Sequence, residues 1–416
     1  MEAWKTMPGP PTPAETKSPH LVLAGFGFAP QRQSGDKNFW YELIPVLLEE
    51  GAGRITIISL DPSPGVRNKL VDYYRVGDRF VCLRRLPTRL LRWESALSNG
   101  GRHFPQGLPL LEKMLSLLTL RQEIQGSHRP SEPTRLHLMD NLGPLNPLLA
   151  SFLPIPVSVS AICLNGRRPP SIQKAFAQLS FRHPRVQVVP YTRAYEERLR
   201  SWGIKAMHQI PWGVDTNRPL PSLEAKAQAK TGLGLDPALP LYVWAGFINQ
   251  IHEADFHLAR GRAQAALARG LQATFFFAFK LESYNKNYGA WHTSERGIIV
   301  KATSVAEFEQ LRLAADVFYS PFLQQSHIIA PPLTWIEFMA QGVPVVTTAV
   351  GGVEEVISHG RTGFIAPEPH LLPEMLLAIR DRARDMRAAC QEAMRRQRDL
   401  RFIAKQYLEF WFGSRQ

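Results

Sequence analysis

A helix, a strand and a glycine turn follow one another over residues 331–363, PPLTWIEFMAQGVPVVTTAVGGVEEVISHGRTG, and few folds accept that order. A short helix carrying one carboxylate, Glu337, runs into a Gly-Val-Pro turn and then a β-branched strand, Val343 to Thr348. Gly351 and Gly352 make the next turn, and Glu355 is expected to open the following helical segment. This is the repeating unit of a doubly wound sheet, whose crevice at the carboxyl ends of its strands takes nucleotides. A carboxylate there accepts ribose hydroxyls, while a helix N-terminus faces phosphate.

The same alternation runs through the rest of the chain. Residues 21–30, LVLAGFGFAP, read as an apolar strand leaving into a glycine- and proline-bearing loop. Helical periodicity over 38–53 and a β-branched strand at 54–61 complete a β-α-β opening, which needs a right-handed crossover and a parallel sheet. The lone Gly25/Gly27 pair does not complete a dinucleotide fingerprint, so no NAD site is expected. Strands at 135–140, 157–164 and 186–190 and a helix at 192–204 continue this half. In IPWGVDTNRP (210–219) Gly213 supplies a turn and Pro219 stops it, which marks a boundary. After a polar stretch, 220–240, a second alternation begins. It has strands at 241–247, 273–279, 297–302 and 315–322, and helices at 254–270 and 304–315. The expected organisation is a Pro-rich disordered lead (1–19), an α/β domain (20–210), a linker (211–222), a second α/β domain (223–398) and a C-terminal helix (399–416) that returns to the first.

Composition narrows the classes. A chain of 416 residues with 44% apolar residues can bury two cores. Cys82, Cys163 and Cys390 lie far apart and form no metal-ligand or disulfide pattern, which fits a reducing cytoplasm. No apolar run approaches the roughly 18 residues needed to span a bilayer. A net charge of +13 suits anionic partners: nucleotide donors, phosphorylated acceptors, anionic lipid surfaces or nucleic acid. Much of that charge sits in 83–93 and 380–401. The second run alternates signs at helical spacing and reads as a solvated helix face. The first, LRRLPTRLLRW, interleaves arginines with leucines and either lies on an anionic membrane from its cytoplasmic side or is ordinary surface, with Pro87 interrupting any helix.

The 331–363 stretch, the IPWGVD turn and the ADVFYSPF strand (315–322) together resemble GT-B glycosyltransferases, in particular the retaining E-x7-E family (family 4, group 1). The resemblance spans about residues 20–410 and implies an α/β fold of two Rossmann-like, doubly wound domains facing each other across a cleft. It implies a nucleotide diphosphate sugar as donor substrate, held by the second domain, with no cofactor and no metal. Glu337 takes the position of the ribose-binding carboxylate. Gly246 matches the glycine of the family's Gly-Arg, but Phe247 stands where that arginine belongs and His252 about where a lysine follows. Charge-assisted contacts of roughly 1.5–3 kcal/mol each are thereby missing. Lys280, at a strand end, is the best substitute cation. The first glutamate of the pair is also absent: eight residues before Glu337 stands Ile329, and family spacing from Pro321 reaches Gln325. Gln325 and His327 are candidate sugar contacts in the remodelled loop 324–332. Pro331 and Pro332 lack N–H groups, so helix-terminal donors to phosphate fall to Leu333 and Thr334. Ser34 and Gly35 lie in a loop similar to one that approaches donor and acceptor in the family. His137, Asp140 and Asn141 lie where family members carry a histidine contacting the transferred sugar.

The activity so implied is hexosyl-type transfer to an acceptor hydroxyl with retention, the leaving phosphate assisting proton removal. Two alternatives remain open at this stage: a non-catalytic GT-B relative that binds a nucleotide or partner, and a nucleic-acid-binding or -modifying protein. The basic runs lack stacking aromatics for the last.

Overall fold

The computed structural model describes residues 4–7, 19–26, 28, 36–61, 70–76, 79–87, 118, 120–126, 132–139, 145–161, 170–246, 253–280, 293–295, 297–323 and 331–413. Contacts divide the chain into two units. One ends at Trp212 and resumes at Leu400; the other runs from Gly213 to Asp399.

The sheet of the first unit contains β1 (Lys5–Thr6), β2 (His20–Phe26), β3 (Arg54–Asp61), β4 (Leu70–Val76), β5 (Arg79–Pro87), β6 (Thr134–Leu138), β7 (Val157–Ser160) and β8 (Val186–Val189). Across the sheet the order is β1-β4-β5-β3-β2-β6-β7-β8. From β5 to β8 all neighbours are parallel. Numbered along the chain, these parallel strands lie third, second, first, fourth, fifth, sixth, the doubly wound order. Leu21, Val22 and Leu23 are fully buried, as a strand covered on both faces requires. Helices α1 (Asp36–Glu49), α2 (Leu145–Phe152) and α3 (Pro170–Phe181) connect β2 to β3, β6 to β7 and β7 to β8, and α4 (Arg193–Ser201) follows β8. Thr192 caps α4 by accepting the Tyr195 N–H at 3.1 Å.

The basic run at 83–93 differs from the membrane-surface expectation over its first part. Leu83 to Pro87 belong to β5, paired antiparallel with β4 and parallel with β3. Val81, Cys82 and Leu83 are all buried, and the half-buried Arg84 donates to Glu123 at 2.9 Å. Residues 88–93 lie outside the described residues.

The second unit repeats the topology. Its strands are β9 (Leu241–Gly246), β10 (Thr274–Lys280), β11 (Thr293–Glu295), β12 (Ile298–Thr303), β13 (Val317–Tyr319), β14 (Val345–Thr348) and β15 (Gly363–Ala366), in the order β11-β12-β10-β9-β13-β14-β15. Only β11 runs antiparallel to its neighbour. The helices are α5 (Leu223–Gly232), α6 (Glu253–Ala268), α7 (Val305–Ala314), α8 (Leu333–Ala340), α9 (Leu372–Arg380) and α10 (Ala383–Gln397). Helix α5 falls in the polar stretch 220–240 and is started by Ser222, which accepts the Ala225 N–H at 3.1 Å. The strand expected from Val343 begins at Val345, because Pro344 has no N–H for a ladder. Glu355 ends a single 3₁₀ turn (Val353–Glu355) rather than opening a helix.

The last helix, α11 (Leu400–Phe412), joins the first unit. It buries Ile403, Tyr407 and Trp411, and the Trp411 indole N–H donates to Ser158 Oγ at 3.0 Å. No helix among the described residues is long and apolar enough to cross a membrane.

Gly363, paired with Val345 at the start of β15, has no room for a side chain: an added Cβ would strike the Val345 backbone carbonyl. Gly363→Ala is therefore expected to cost roughly 1–3 kcal/mol, the range of overpacking changes. A lowered urea midpoint at unchanged slope is the expected result; a midpoint equal to wild type would show that the strand shifts without cost.

Candidate active site

Strand order reverses in the second unit between β9 and β13. The connection from β9 leads away through α6 to β10, and that from β13 leads the other way through α8 to β14. A crevice opens at the carboxyl ends of strands diverging in this way. Gly246 ends β9 there, and the chain leaves β13 through Ser320, Pro321 and Phe322.

This exit segment is held tightly. Phe322 donates its N–H to Thr348 Oγ1 at 2.9 Å and receives the Thr348 hydroxyl on its carbonyl at 2.8 Å. Thr347 Oγ1 donates to the Ser320 carbonyl at 2.7 Å. Leu323 donates to Asp255 Oδ1 at 2.8 Å, which ties the segment to the first turn of α6. Asp255 is 3% exposed. These side chains follow from burial: a backbone leaving a parallel strand under covering helices must find its partners locally.

Glu337 lies on α8 and is 4% exposed. Arg312 of α7, equally buried, brings Nη1 to 3.9 Å from Oε1 and also pairs with Glu309. A carboxylate so far from water is stable only with such compensation. At the start of α8, Pro332 provides no side-chain cap. Leu333 is buried and Thr334 is half-buried in the first turn. The Trp335 N–H returns to the Pro332 carbonyl at 3.0 Å. Helix α8 follows β13 in the chain, so its N-terminus lies on the carboxyl-end side of the sheet. Beyond β14, Gly352 adopts φ 80°, and Arg398 holds the turn by donating to the Glu355 carbonyl at 3.2 Å. Burial pushes the Arg398 guanidinium down to about 10, with Glu355 opposing.

Gly246 has a local reason to be glycine: a Cβ would lie 3.0 Å from the Trp244 ring. Lys280 ends β10, paired with Thr303, so its backbone stands at the same rim; its side chain lies outside the described residues. Ser34, Gly35, Asp140, Asn141, Gln325 and His327 also lie outside them, as do Phe247 and His252.

His137 is placed differently from the sequence expectation. It sits inside β6, between Leu23 and Ser158 in register, with 0% exposure. Nδ1 lies 2.8 Å from Ser158 Oγ and Nε2 2.9 Å from Ser160 Oγ, so both ring nitrogens are used. Tyr191 donates its hydroxyl to Ser160 Oγ at 2.7 Å. Trp40, Tyr407 and Trp411 pack around the ring at centroid distances of 4.9, 5.8 and 5.4 Å. A side chain inside a strand stands perpendicular to the sheet, into the covering helices, and does not reach out at the strand end. His137 is a core histidine joining β6 and β7 to α11, not a sugar contact.

Comparison with known proteins agrees with the topology. The model of a family described as glycosyl transferases group 1 matches residues 282–383, the span that contains α8, Glu337 and β14. Sucrose-phosphate synthase from Thermosynechococcus elongatus superposes with a TM-score of 0.69 at 15% identity, covering 94% of this chain and 98% of that one. The catalytic domain of starch synthase IV from Arabidopsis thaliana, bound to ADP and acarbose, gives 0.66 at 14%, covering 95% and 99%. HepE of Anabaena, solved with UDP and glucose, gives 0.63 at 14%, covering 94% and 98%. The chain has the GT-B fold. A segment of its second unit matches the group 1 glycosyl transferase model, and both units are Rossmann-like. No curated protein matches the sequence.

Asp255, Arg312 and Thr348 were not singled out by the sequence. A threonine pair closing a β-branched strand is a weak signal for Thr348; a lone arginine in the apolar run QLRLAA is one for Arg312.

Burial pushes the His137 imidazole down to about 3, against about 6.5 in an unfolded chain. Above pH ~6.5 both states are neutral. As pH falls from there toward 3, the unfolded chain takes a proton that the folded core refuses, so stability is lost at up to ~1.4 kcal/mol per pH unit. Unfolding midpoints of wild type and His137→Gln measured from about pH 7 to 4.5 should converge as pH falls. Parallel curves would mean that the ring protonates within the fold.

Proposed function

We propose that this protein is a glycosyltransferase that moves a sugar from a nucleotide diphosphate donor to an acceptor hydroxyl, with retention of anomeric configuration and without a metal. The reading rests above all on Glu337: a nearly buried carboxylate on the helix that follows the switch-point strand, inside the segment matched to group 1 glycosyl transferases. Its oxygens accept the ribose hydroxyls, while the N–H groups of Leu333 and Thr334 receive the distal phosphate. Relatives of the same fold were solved with UDP-glucose and with ADP, which supports a nucleoside diphosphate carrier. Lys280 supplies the cation that Phe247 and His252 do not. Gln325 and His327 contact the sugar. Ser34 and Gly35 approach the donor, and Asp140 and Asn141 lie by the transferred sugar, in the part of the chain (20–210) to which the family arrangement assigns the acceptor.

In the reaction the bond from the anomeric carbon to the phosphate oxygen breaks, and the acceptor oxygen bonds to that carbon on the same face. The acceptor proton passes to the departing phosphate. Catalysis then consists of positioning and of stabilising the leaving charge. We place the protein in the cytoplasm, where nucleotide sugars are available.

A second reading, a GT-B protein that binds a nucleotide without turning it over, is favoured by one observation. The first turn of α6, where a diphosphate would meet the chain leaving β9, carries Glu253 and the buried Asp255. Two carboxylates there oppose a phosphate.

Titration calorimetry with UDP, ADP and GDP against wild type and Glu337→Ala tests the donor role. Loss of a charged hydrogen bond weakens binding by roughly 1.5–3 kcal/mol. An unchanged dissociation constant in a folded variant would remove Glu337 from the site. Donor hydrolysis in the same samples separates the two readings, since binding without release of sugar would select the second.

A further inference from the structure

At the other end of the second unit's sheet, a cavity of about 220 Å³ lies between α5, the first residues of β9 and β13, and the α9–α10 junction. Its wall holds the cations Lys226, Lys230, Arg380, Arg384 and Arg387 and one carboxylate, Asp316. Lys226 and Lys230 are 4% and 5% exposed. Asp316 accepts the Leu241 N–H at 2.9 Å, Lys226 Nζ at 3.1 Å and Lys230 Nζ at 2.6 Å. Lys226 donates also to the Ala315 carbonyl, and Lys230 to the Leu239 carbonyl at 2.7 Å. Burial alone would raise the Asp316 carboxyl, yet the two ammonium groups beside it hold it below its usual value. Each ammonium keeps a hydrogen beyond these bonds.

The guanidinium groups add charge that nothing in the wall balances. Arg380 is paired with Asp381 at 2.7 and 2.9 Å. Arg387 gives one hydrogen to the Pro221 carbonyl, while its buried Nε has no hydrogen-bond partner. Arg384 is exposed at the rim. Five cations less Asp316 and Asp381 leave three uncompensated positive charges around one small cavity. Such a grouping is costly without an anion, and a buried N–H without an acceptor is a position that a ligand oxygen would satisfy.

We propose that this cavity binds a multiply charged phosphoryl group, supplied either as a free phosphate or as the head of a phosphorylated lipid. Guanidinium forks and ammonium groups match phosphate oxygens in charge and geometry. The cavity is smaller than the roughly 300–1,000 Å³ of sites that enclose drug-sized ligands, so it takes the phosphoryl group rather than a whole nucleotide. It is also a second site. Pro240 and Tyr242 of its wall stand six and four residues before Gly246, about 13–20 Å along the strand at ~3.3 Å per residue.

Calorimetric titration with inorganic phosphate, in buffer matched for ionic strength with chloride, tests the assignment with and without saturating UDP. Arg384→Gln should weaken phosphate binding about ten- to hundred-fold, the loss of one charge-assisted contact, and Arg384→Glu should abolish it. Lys205→Gln, an equal change of net charge on an exposed residue of the first unit, should leave it unchanged, and so should UDP. Equal affinity in wild type and Arg384→Gln, no binding beyond chloride, or displacement by UDP would each overturn the proposal. Flotation with vesicles containing phosphatidylinositol phosphate identifies the source. Recruitment that Arg384→Glu removes assigns the site to a lipid head; no recruitment, with phosphate still bound in solution, assigns it to a free phosphate.

Discussion

A parallel sheet buried on both faces leaves its polar chemistry only one place to go, the ends of its strands. In the second unit Leu241, Tyr242, Val243 and Val345 are at most 1% exposed, so their side chains are spent on packing. What leaves the carboxyl ends is free of that packing: Gly246, the Ser320–Phe322 exit, the first turn of α8 and the Gly351–Gly352 turn. The hydroxyls of Thr347 and Thr348 hold that exit while remaining in the strand itself. The amino ends obey the same rule, and there Asp316 ties β9 to β13 and gathers two lysines around it.

Burial also decides what a polar side chain can mean. His137 and Glu337 are both nearly inaccessible, yet their surroundings differ in kind. The histidine is saturated by two serine hydroxyls and ringed by aromatics, which makes it a joint between β6, β7 and α11. The glutamate sits on a helix whose uncapped first turn lies at a switch point, beside one guanidinium. Position relative to the strand ends, rather than residue type, separates the two.

Much of this was legible in the chain. The strands LVLA, RITIISL, LYVW and VVTT and the helices between them follow from apolar runs and period, and doubly wound topology follows from their alternation. The bend at Gly213 marked the change of unit because glycine and proline punctuate locally. The β4–β5 hairpin was missed, since the arginines within LRRLP interrupt its apolar run. Helix α5 was missed because its two buried lysines read as solvent-facing polarity.

By itself the sequence determined most of the parallel strands and the helices between them, and that a carboxylate follows the switch-point strand. Local propensity and hydrophobic period act over a few residues and need no distant partner. Only the tertiary structure decided that His137 is a core joint, that Arg312 faces Glu337, and that Lys226, Lys230 and Arg384 converge on one cavity. Those facts depend on contacts between segments far apart in the chain, and side-chain pairing across such distances leaves no mark in the spacing of residues.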